Sequence, residues 1–306
     1  MPASLAASAT GRRLDWGQLT VWSARVAWLA VAVVGGRAVG DAIDGRSGPV
    51  RAVATVGAWA GWGVGAVALA VTGLVTLTTV RAVVPIAVVV AGVVAVAGAP
   101  AGSVLALAVP AAVTAVLVAA ADTGHVYMQA SAYGDERRFG LRPPLGYLVP
   151  TVASWALWTA ALVAAPLSWA ARSWALAAVS TVVLAAGSVV LPRRWHQLSR
   201  RWLVTVPAGL VVHDPVVLAD TLMLPNRQIT AIKLVGPARN DAGYDLTGPT
   251  PGVRVGIALA EMTTAVLAPR PATPRGTAIH LAALLVAPSR PGAALREAAR
   301  RGLPVG

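Results

Sequence analysis

The 306-residue chain contains no cysteine, one lysine, one phenylalanine and four histidines, and only 12% of its residues are charged. Without cysteine there is no disulfide framework, no thiol nucleophile and no thiolate metal site. A soluble domain of ordinary composition has about 25% charged residues, so this composition excludes an ordinary soluble protein. The scarcity of charge is the first indication of a membrane protein.

Apolar residues and arginine dominate what is there. The chain is 57% hydrophobic, its mean hydropathy is +0.69, and its formal net charge is +13. Basic residues near a bilayer are attracted to anionic headgroups. Nucleic acid is the other polyanion, but no stacking aromatics are interleaved with the basic residues and no nucleic-acid-binding motif is present, so we expect no nucleic-acid partner. The bias towards Arg, Ala, Val and Gly is typical of a high-GC bacterial genome.

Six apolar segments are long enough to cross the hydrocarbon layer, which takes about 20 helical residues. Within a transmembrane domain of residues 1–192, they are predicted at 21–40, 52–78, 82–98, 103–121, 147–165 and 174–191. Spans two to four hold no ionisable residue in this division, whereas ion-coupled transporters usually carry such groups in the membrane. Because these three spans are separated so briefly, whether all of them are separate stays open.

The arginines are distributed unevenly between the loops. Ten fall in predicted inner segments and three in predicted outer loops, and cytoplasmic loops carry the excess of basic residues. We therefore expect a multi-pass protein of the bacterial plasma membrane with both termini in the cytoplasm. The inner arginines are Arg12, Arg13, Arg81, Arg137, Arg138, Arg142, Arg193, Arg194, Arg200 and Arg201, and the outer ones are Arg46, Arg51 and Arg172.

A basic, tryptophan-containing border separates the apolar part of the chain from residues 193–306. Arginines remain on the side where the chain is made, and tryptophan rings lie at headgroup level. The border therefore predicts a contact with the anionic membrane surface. The residues assigned to this contact are Arg193, Arg194, Trp195, Arg200, Arg201 and Trp202.

Three glycines in the second predicted span recur at four-residue spacing: Gly57, Gly61 and Gly65. Small residues at this spacing let a second helix approach closely. The pattern predicts a helix-packing face, either inside the bundle or between the subunits of a homo-oligomer.

The segment 122–146 is the longest polar stretch in the apolar part of the chain. It contains His125, Tyr127, Tyr133 and Asp135, residue types that an active site uses, and an enzyme that processes lipid would also use Glu136 and Arg137. No spacing among them matches a metal or nucleophile motif, so we interpret the segment as a solvated loop at the membrane surface. No catalytic, metal-binding or cofactor-binding residue is predicted anywhere in the chain.

After the border, the hydrophobic period changes to two, which is typical of half-buried strands. Strands are predicted at 202–206, 210–213, 220–224, 229–235, 253–259, 264–268 and 277–287. A helix is predicted to follow, with Ser289 as its N-cap, Pro291 in its first turn and Gly302 just beyond its end. The pair His213 and Asp214, followed by proline, is interpreted as a strand end and an Asx turn.

Seven short strands followed by one helix, over residues 200–303, resemble the pleckstrin-homology (PH) superfold. The stretches Val204–His213 and Leu224–Ile232 are similar to the opening strands of bacterial PH-like domains attached to membrane helices. The resemblance implies that residues 193–306 form a cytoplasmic β-barrel or sandwich with one C-terminal helix. It carries over no residue for phosphoinositide recognition.

These patterns predict an α-helical transmembrane bundle joined to a small PH-like β domain. The function expected is non-enzymatic: a multi-pass membrane protein whose adapter-like module docks a protein partner or the inner leaflet. The alternatives are a subunit of a membrane transporter or channel, and a membrane-bound enzyme that processes lipid.

Overall fold

The computed structural model describes residues 15–237, 243–269 and 273–306. Arg12 and Arg13, which were assigned to the inner side, lie outside the described residues, as does part of the long loop before residue 253. Within the described ranges, the chain forms a helical region followed by a two-sheet β region and a C-terminal helix. The coarse architecture predicted from composition and periodicity is confirmed.

In the described part of the chain, six helical segments are long and apolar enough to cross a membrane, which indicates a multi-pass membrane protein. The third segment consists of two shorter helices, α3 and α4, and the others are single helices. The segments are α1 (Trp16–Ile43), α2 (Gly48–Ala70), α3 with α4 (Leu74–Val83 and Ile86–Val96), α5 (Ala101–Ala119), α7 (Leu145–Ala170) and α8 (Trp174–Ser199).

Contacts between helix ends define the two sides of the bundle. Near the start of α1, Arg25 donates from Nε to the carbonyl of Leu69 at the end of α2, over 2.9 Å. Near the opposite end of α1, Ser103 at the start of α5 donates to Asp41 over 2.6 Å. The helices are therefore antiparallel along the chain, and α1 begins on the side where α8 ends.

The boundary between the second and third spans differs from the prediction. The second span was expected to continue to residue 78, with a turn at Arg81, but α2 ends at Ala70 and Arg81 lies inside the third span. The residues around this turn, 68–80, are uncharged throughout, so no change in charge marks it. Arg81 is held by a hydrogen bond from Nε to the carbonyl of Val118, 3.3 Å away, near the C-terminus of α5.

The predicted surface loop at 122–146 is also wrong in part, because it contains a helix and a strand. Helix α6 (Ala121–Gln129) packs against α1, and strand β1 (Arg137–Gly140) pairs antiparallel with the strand that follows α8. The phenol of Tyr127, fully buried, donates to the carbonyls of Ala68 and Leu69 at the end of α2. This segment joins the helical region to the β region.

The β region consists of two four-stranded sheets. The first has the order β1-β2-β3-β4 and the second the order β5-β7-β8-β6. The remaining strands are β2 (Trp202–Val206), β3 (Gly209–His213), β4 (Leu222–Pro225), β5 (Ile229–Val235), β6 (Tyr244–Asp245), β7 (Arg254–Leu267) and β8 (Thr277–Val286). Strands β1 to β4 form an antiparallel meander, interrupted between β1 and β2 by the two membrane helices α7 and α8.

The core of the β region lies between the sheets and is closed by α9 (Pro291–Arg300). Leu210, Leu224 and Leu284 are among its fully buried side chains, and Ala294 and Ala298 bring the apolar stripe of α9 into the same cluster. The tail after α9 continues beside β5, where the Ile232 amide donates to Pro304 over 2.7 Å. The alternation of hydrophobic residues that predicted these strands thus corresponds to the buried face of each sheet.

The two ends of α9 give different outcomes for the capping predictions. Gly302 follows the helix with φ +74°, the left-handed conformation expected of a C′ glycine. Ser289, however, is not the N-cap: Arg290 occupies that position, without a side-chain capping bond. The reason is that the Ser289 amide extends the β pairing by donating to the carbonyl of Gly140, 2.7 Å away.

Candidate functional site

The basic border, predicted to contact the membrane surface, is divided by the fold into an exposed and a buried set. Arg193, Arg194 and Arg200 are exposed at the end of α8. The other three assigned residues are not available to headgroups: Trp195 is 9% exposed, Arg201 1% and Trp202 8%. For those three the assignment to the membrane surface is corrected, because the border continues directly into strand β2 and its side chains pack inside the protein.

Arg201 forms a buried ion pair with Asp214. Its Nε and Nη2 atoms donate to the two carboxylate oxygens over 2.7 and 2.6 Å, and both side chains are 1% exposed. The third guanidinium nitrogen, Nη1, donates to the carbonyl of Arg142 over 2.8 Å. Asp214 also accepts from the amide of Val216, which confirms the predicted Asx turn. The pair fixes the end of α8 to the start of α7 and to the turn after β3.

Trp202 forms the centre of a stack on the outer face of the first sheet. Its ring lies on His213, with centroids 5.0 Å apart and an interplanar angle of 25°, and the Arg138 guanidinium lies 5.0 Å from its centroid. Nδ1 of His213 is 2.8 Å from the hydroxyl of Thr221. Burial, together with the nearby charges of Arg200 and Arg138, lowers the pKa of His213, although Asp214 opposes the shift.

Acidification is expected to destabilise the β region through His213. Its folded-state pKa is lowered, whereas an unfolded histidine takes up a proton near pH 6.5. The unfolded state therefore binds more protons, and stability falls as the pH drops from about 7.5 to about 5.5. The melting temperature of the purified chain, measured at both values, should fall less for His213→Gln. His280→Gln, which removes an exposed imidazole from β8, should retain the full decrease; an equal decrease in all three proteins would contradict the prediction.

The polar residues of the segment 122–146 make structural contacts around α6. Nδ1 of His125 is 3.1 Å from the carbonyl of Arg138, and its ring stacks on Phe139. Burial is the largest cause that lowers the pKa of His125, followed by the charge of Arg290. Glu136 pairs with Arg138 over 2.6 Å. Within the described residues, no group of three or more His, Asp or Glu side chains could hold a metal ion.

The three glycines of α2 have different surroundings. A Cβ atom at Gly65 would lie 2.5 Å from the ring of Trp28, so this glycine admits the tryptophan of α1. The indoles of Trp28 and Trp62 each donate to the other residue's carbonyl over 3.0 Å, on the same face. A Cβ at Gly57 or Gly61 would have no atom within 4 Å among the described residues, so neither glycine packs against the part of the chain that the structure describes. Their contact between subunits stays a prediction.

A bulge in β7 exposes the most accessible methionine of the β region. Four residues of β7, 259–262, lie opposite a single residue of β8, 282, because the register shifts between Ala258 and Thr263. Bulges of this kind redirect side chains, and here Met262 becomes 74% exposed beside exposed Glu261. Methionine is frequent at protein-binding surfaces because it is flexible and polarisable. We call its three exposed residues, 260–262, the β7 bulge. The sequence predicted a break here, between separate strands at 253–259 and 264–268, whereas the structure has one strand, β7, with a bulge.

No protein-family model, curated protein or solved structure matches the chain significantly. The functional conclusion therefore depends on the fold and on the chemistry of its surfaces.

Proposed function

We propose that the protein is a non-enzymatic docking protein of the bacterial plasma membrane. Its helices hold a PH-like β module at the cytoplasmic face, where the module binds a protein partner. The observation that carries this proposal is the fixed attachment of the β region: its first strand precedes the last two membrane helices in the chain. A module attached in this way presents its outer surfaces in one orientation relative to the bilayer.

The residues after β1 support the fixed attachment because they bond to both ends of the β region. The Leu141 amide donates to the carbonyl of Arg201 over 3.0 Å, at the start of β2. The Arg142 amide donates to Ala287, just after β8, over 2.8 Å. The Arg142 side chain also donates to the carbonyl of Val253. A flexible tether would not make bonds to both sheets at once.

The strand order supports the PH-like assignment. Four antiparallel strands in one sheet, the three antiparallel strands β5, β7 and β8 in a second, and a C-terminal helix are similar to the element order of that superfold, to which the two-residue parallel strand β6 is an addition. The hairpin of β2 and β3 turns at Pro207 and Ala208, within the stretch that is similar to the opening strands of PH-like domains. In this chain the first strand is supplied from the helical region, which is the departure from a simple PH-like tail.

The distribution of exposed arginines supports a cytoplasmic β module. Arg193, Arg194 and Arg200 are exposed at the end of α8, on the β side, and the exposed Arg46, Arg51 and Arg172 lie at the opposite end of the bundle. Adding Arg137, Arg138 and Arg142 of the β1 segment gives the β side the larger count. The positive-inside rule then assigns that side to the cytoplasm.

The β7 bulge is our candidate for the docking surface, and site-specific photo-crosslinking tests it. With a photo-reactive amino acid at position 262 of the full chain, in membranes of the native host, we expect one discrete protein adduct. Reversing the neighbouring charge with Glu261→Arg should weaken that adduct. The control places the same amino acid at position 179, which is 64% exposed on α8 and should yield lipid adducts. Lipid adducts alone at position 262 would overturn protein docking and favour contact with the inner leaflet.

A further inference from the structure

An open apolar groove of about 300 Å³ runs between α7 and α8 on the outside of the bundle. Its lining comes almost entirely from aliphatic and aromatic side chains, apart from one serine. The lining residues are Ser154, Leu157 and Trp158 of α7, and Val183, Ala186, Gly187, Val190 and Leu191 of α8. Both helices are membrane-spanning candidates, so the groove opens towards the lipid hydrocarbon.

Small residues on α8 keep the groove open under a fixed indole. A Cβ atom at Gly187 would lie 2.7 Å from the Trp158 ring, so the indole lies directly over that glycine. Nε1 of Trp158 donates to the hydroxyl of Ser188 over 3.0 Å, and its ring contacts Trp195 edge-on, with centroids 5.3 Å apart. The wall of the groove is therefore held in place by three contacts.

Two exposed arginines follow the groove on the same side of α8. Residues three and four apart on a helix share a face, so Arg193 and Arg194 continue the row that includes Val190, and Arg194 also follows Leu191. They lie about one turn, roughly 5 Å, beyond the groove towards the β region. Helices α7 and α8 contain no acidic residue, so neither helix places a carboxylate beside these arginines.

We propose that the groove and these arginines form a binding site for one anionic phospholipid. An acyl chain occupies the groove, and the phosphate lies between Arg193 and Arg194. A phospholipid fits both parts because its apolar chain and its negative charge are separated along the membrane normal, as the groove and the arginines are. The site depends on the membrane placement of α7 and α8 but not on partner docking, so either proposal can fail alone.

Native mass spectrometry of the full chain in detergent, titrated with phosphatidylglycerol or phosphatidylcholine, tests the headgroup requirement. We expect one phosphatidylglycerol to bind preferentially. Arg193→Gln with Arg194→Gln should weaken it about thirtyfold, because each basic residue near the surface contributes about fivefold. The control, Arg46→Gln with Arg51→Gln, removes two exposed arginines at the opposite end of the bundle and should leave affinity unchanged. Equal affinity for the two lipids would overturn the proposal.

A second pair of variants tests the groove without altering charge. Ala186→Phe fills it, whereas Ala185→Phe adds the same ring at an exposed neighbouring position outside the lining. We expect only Ala186→Phe to reduce phosphatidylglycerol binding, with both variants unfolding at the wild-type temperature. Equal binding by the two variants would overturn the acyl-chain assignment. Conversion of a dimer to a monomer by Ala186→Phe would overturn it too, because the groove would then hold a second copy of the chain.

Discussion

Asp214→Ala is expected to destabilise the β region by about 3–5 kcal/mol, because it leaves the buried guanidinium of Arg201 without its counter-ion. The pair is 1% exposed on both sides, so water cannot replace the lost carboxylate. The turn after β3 also loses the acceptor for the amide of Val216. Hydrogen exchange of the β2 and β3 amides in the detergent-solubilised chain measures the loss, since both strands adjoin the ion pair.

Two further variants distinguish the cost of leaving a buried charge unpaired from the cost of losing any ion pair. Asp122→Ala removes the partly exposed pair with Arg290, whose atoms are 3.3 Å apart, and should cost about 1 kcal/mol or less. The double variant Arg201→Met with Asp214→Leu removes both buried charges and should recover most of the stability. If Asp214→Ala were as mild as Asp122→Ala, the ion pair would not be what fixes this junction.

Gly65→Val is expected to be the most damaging single change in the helical region. Its Cβ would begin 2.5 Å from the Trp28 ring, so α1 and α2 must separate or the indole must move. Overpacking costs about 1–3 kcal/mol. The two reciprocal indole hydrogen bonds between Trp28 and Trp62 add a cost of about 1 kcal/mol each if they break. Thermal unfolding of the purified chain in mild detergent measures the combined effect.

Gly57→Val and Gly61→Val are the matched controls, because they make the same change in the same helix where a Cβ meets nothing within 4 Å. Both variants should unfold close to the wild-type temperature as monomers. A loss equal to that of Gly65→Val would contradict the contacts described for α2. Size-exclusion chromatography with light scattering on the same samples shows whether these two glycines support a homo-oligomer.

The strands and spans could be predicted where a single local pattern determines the structure. The alternation of Val253, Val255 and Ile257 reflects a strand with one buried face, and β7 begins at Arg254 within it. The six long apolar runs similarly reflect the hydrocarbon thickness that a helix must cross. In both cases the period of hydrophobic residues, which is visible in the chain itself, carries the information.

The junction could not be predicted, because its contacts join residues far apart in the chain. In the sequence, Arg201 has the position of an arginine that sets membrane orientation. Only the fold places it beside Asp214, 13 residues later. Arg138 and Phe139 look like part of a polar loop until β2, more than 60 residues downstream, pairs with them. Four-residue β1 has too few positions to display an alternation. Pairing of this kind is a tertiary property.

The position of Arg81 changes how the functional alternatives compare. The span boundaries predicted from the sequence left no ionisable residue in spans two to four, and this absence favoured docking over transport. Because Arg81 lies within the third span, that argument no longer separates the two functions. Its hydrogen bond to the carbonyl of Val118 gives it a structural task at the end of α5. The case for docking therefore depends on the attachment of the β region.

The interruption of the first sheet by α7 and α8 has a consequence for biogenesis. Strand β1 leaves the ribosome before these two helices and β2 leaves after them, so the sheet can close only once the helical hairpin has been inserted. If only one of the two helices crossed, β1 and β2 would face opposite compartments and could not pair. Completion of the sheet thus reports correct insertion, and a misinserted chain exposes unpaired strands that quality-control proteases can recognise.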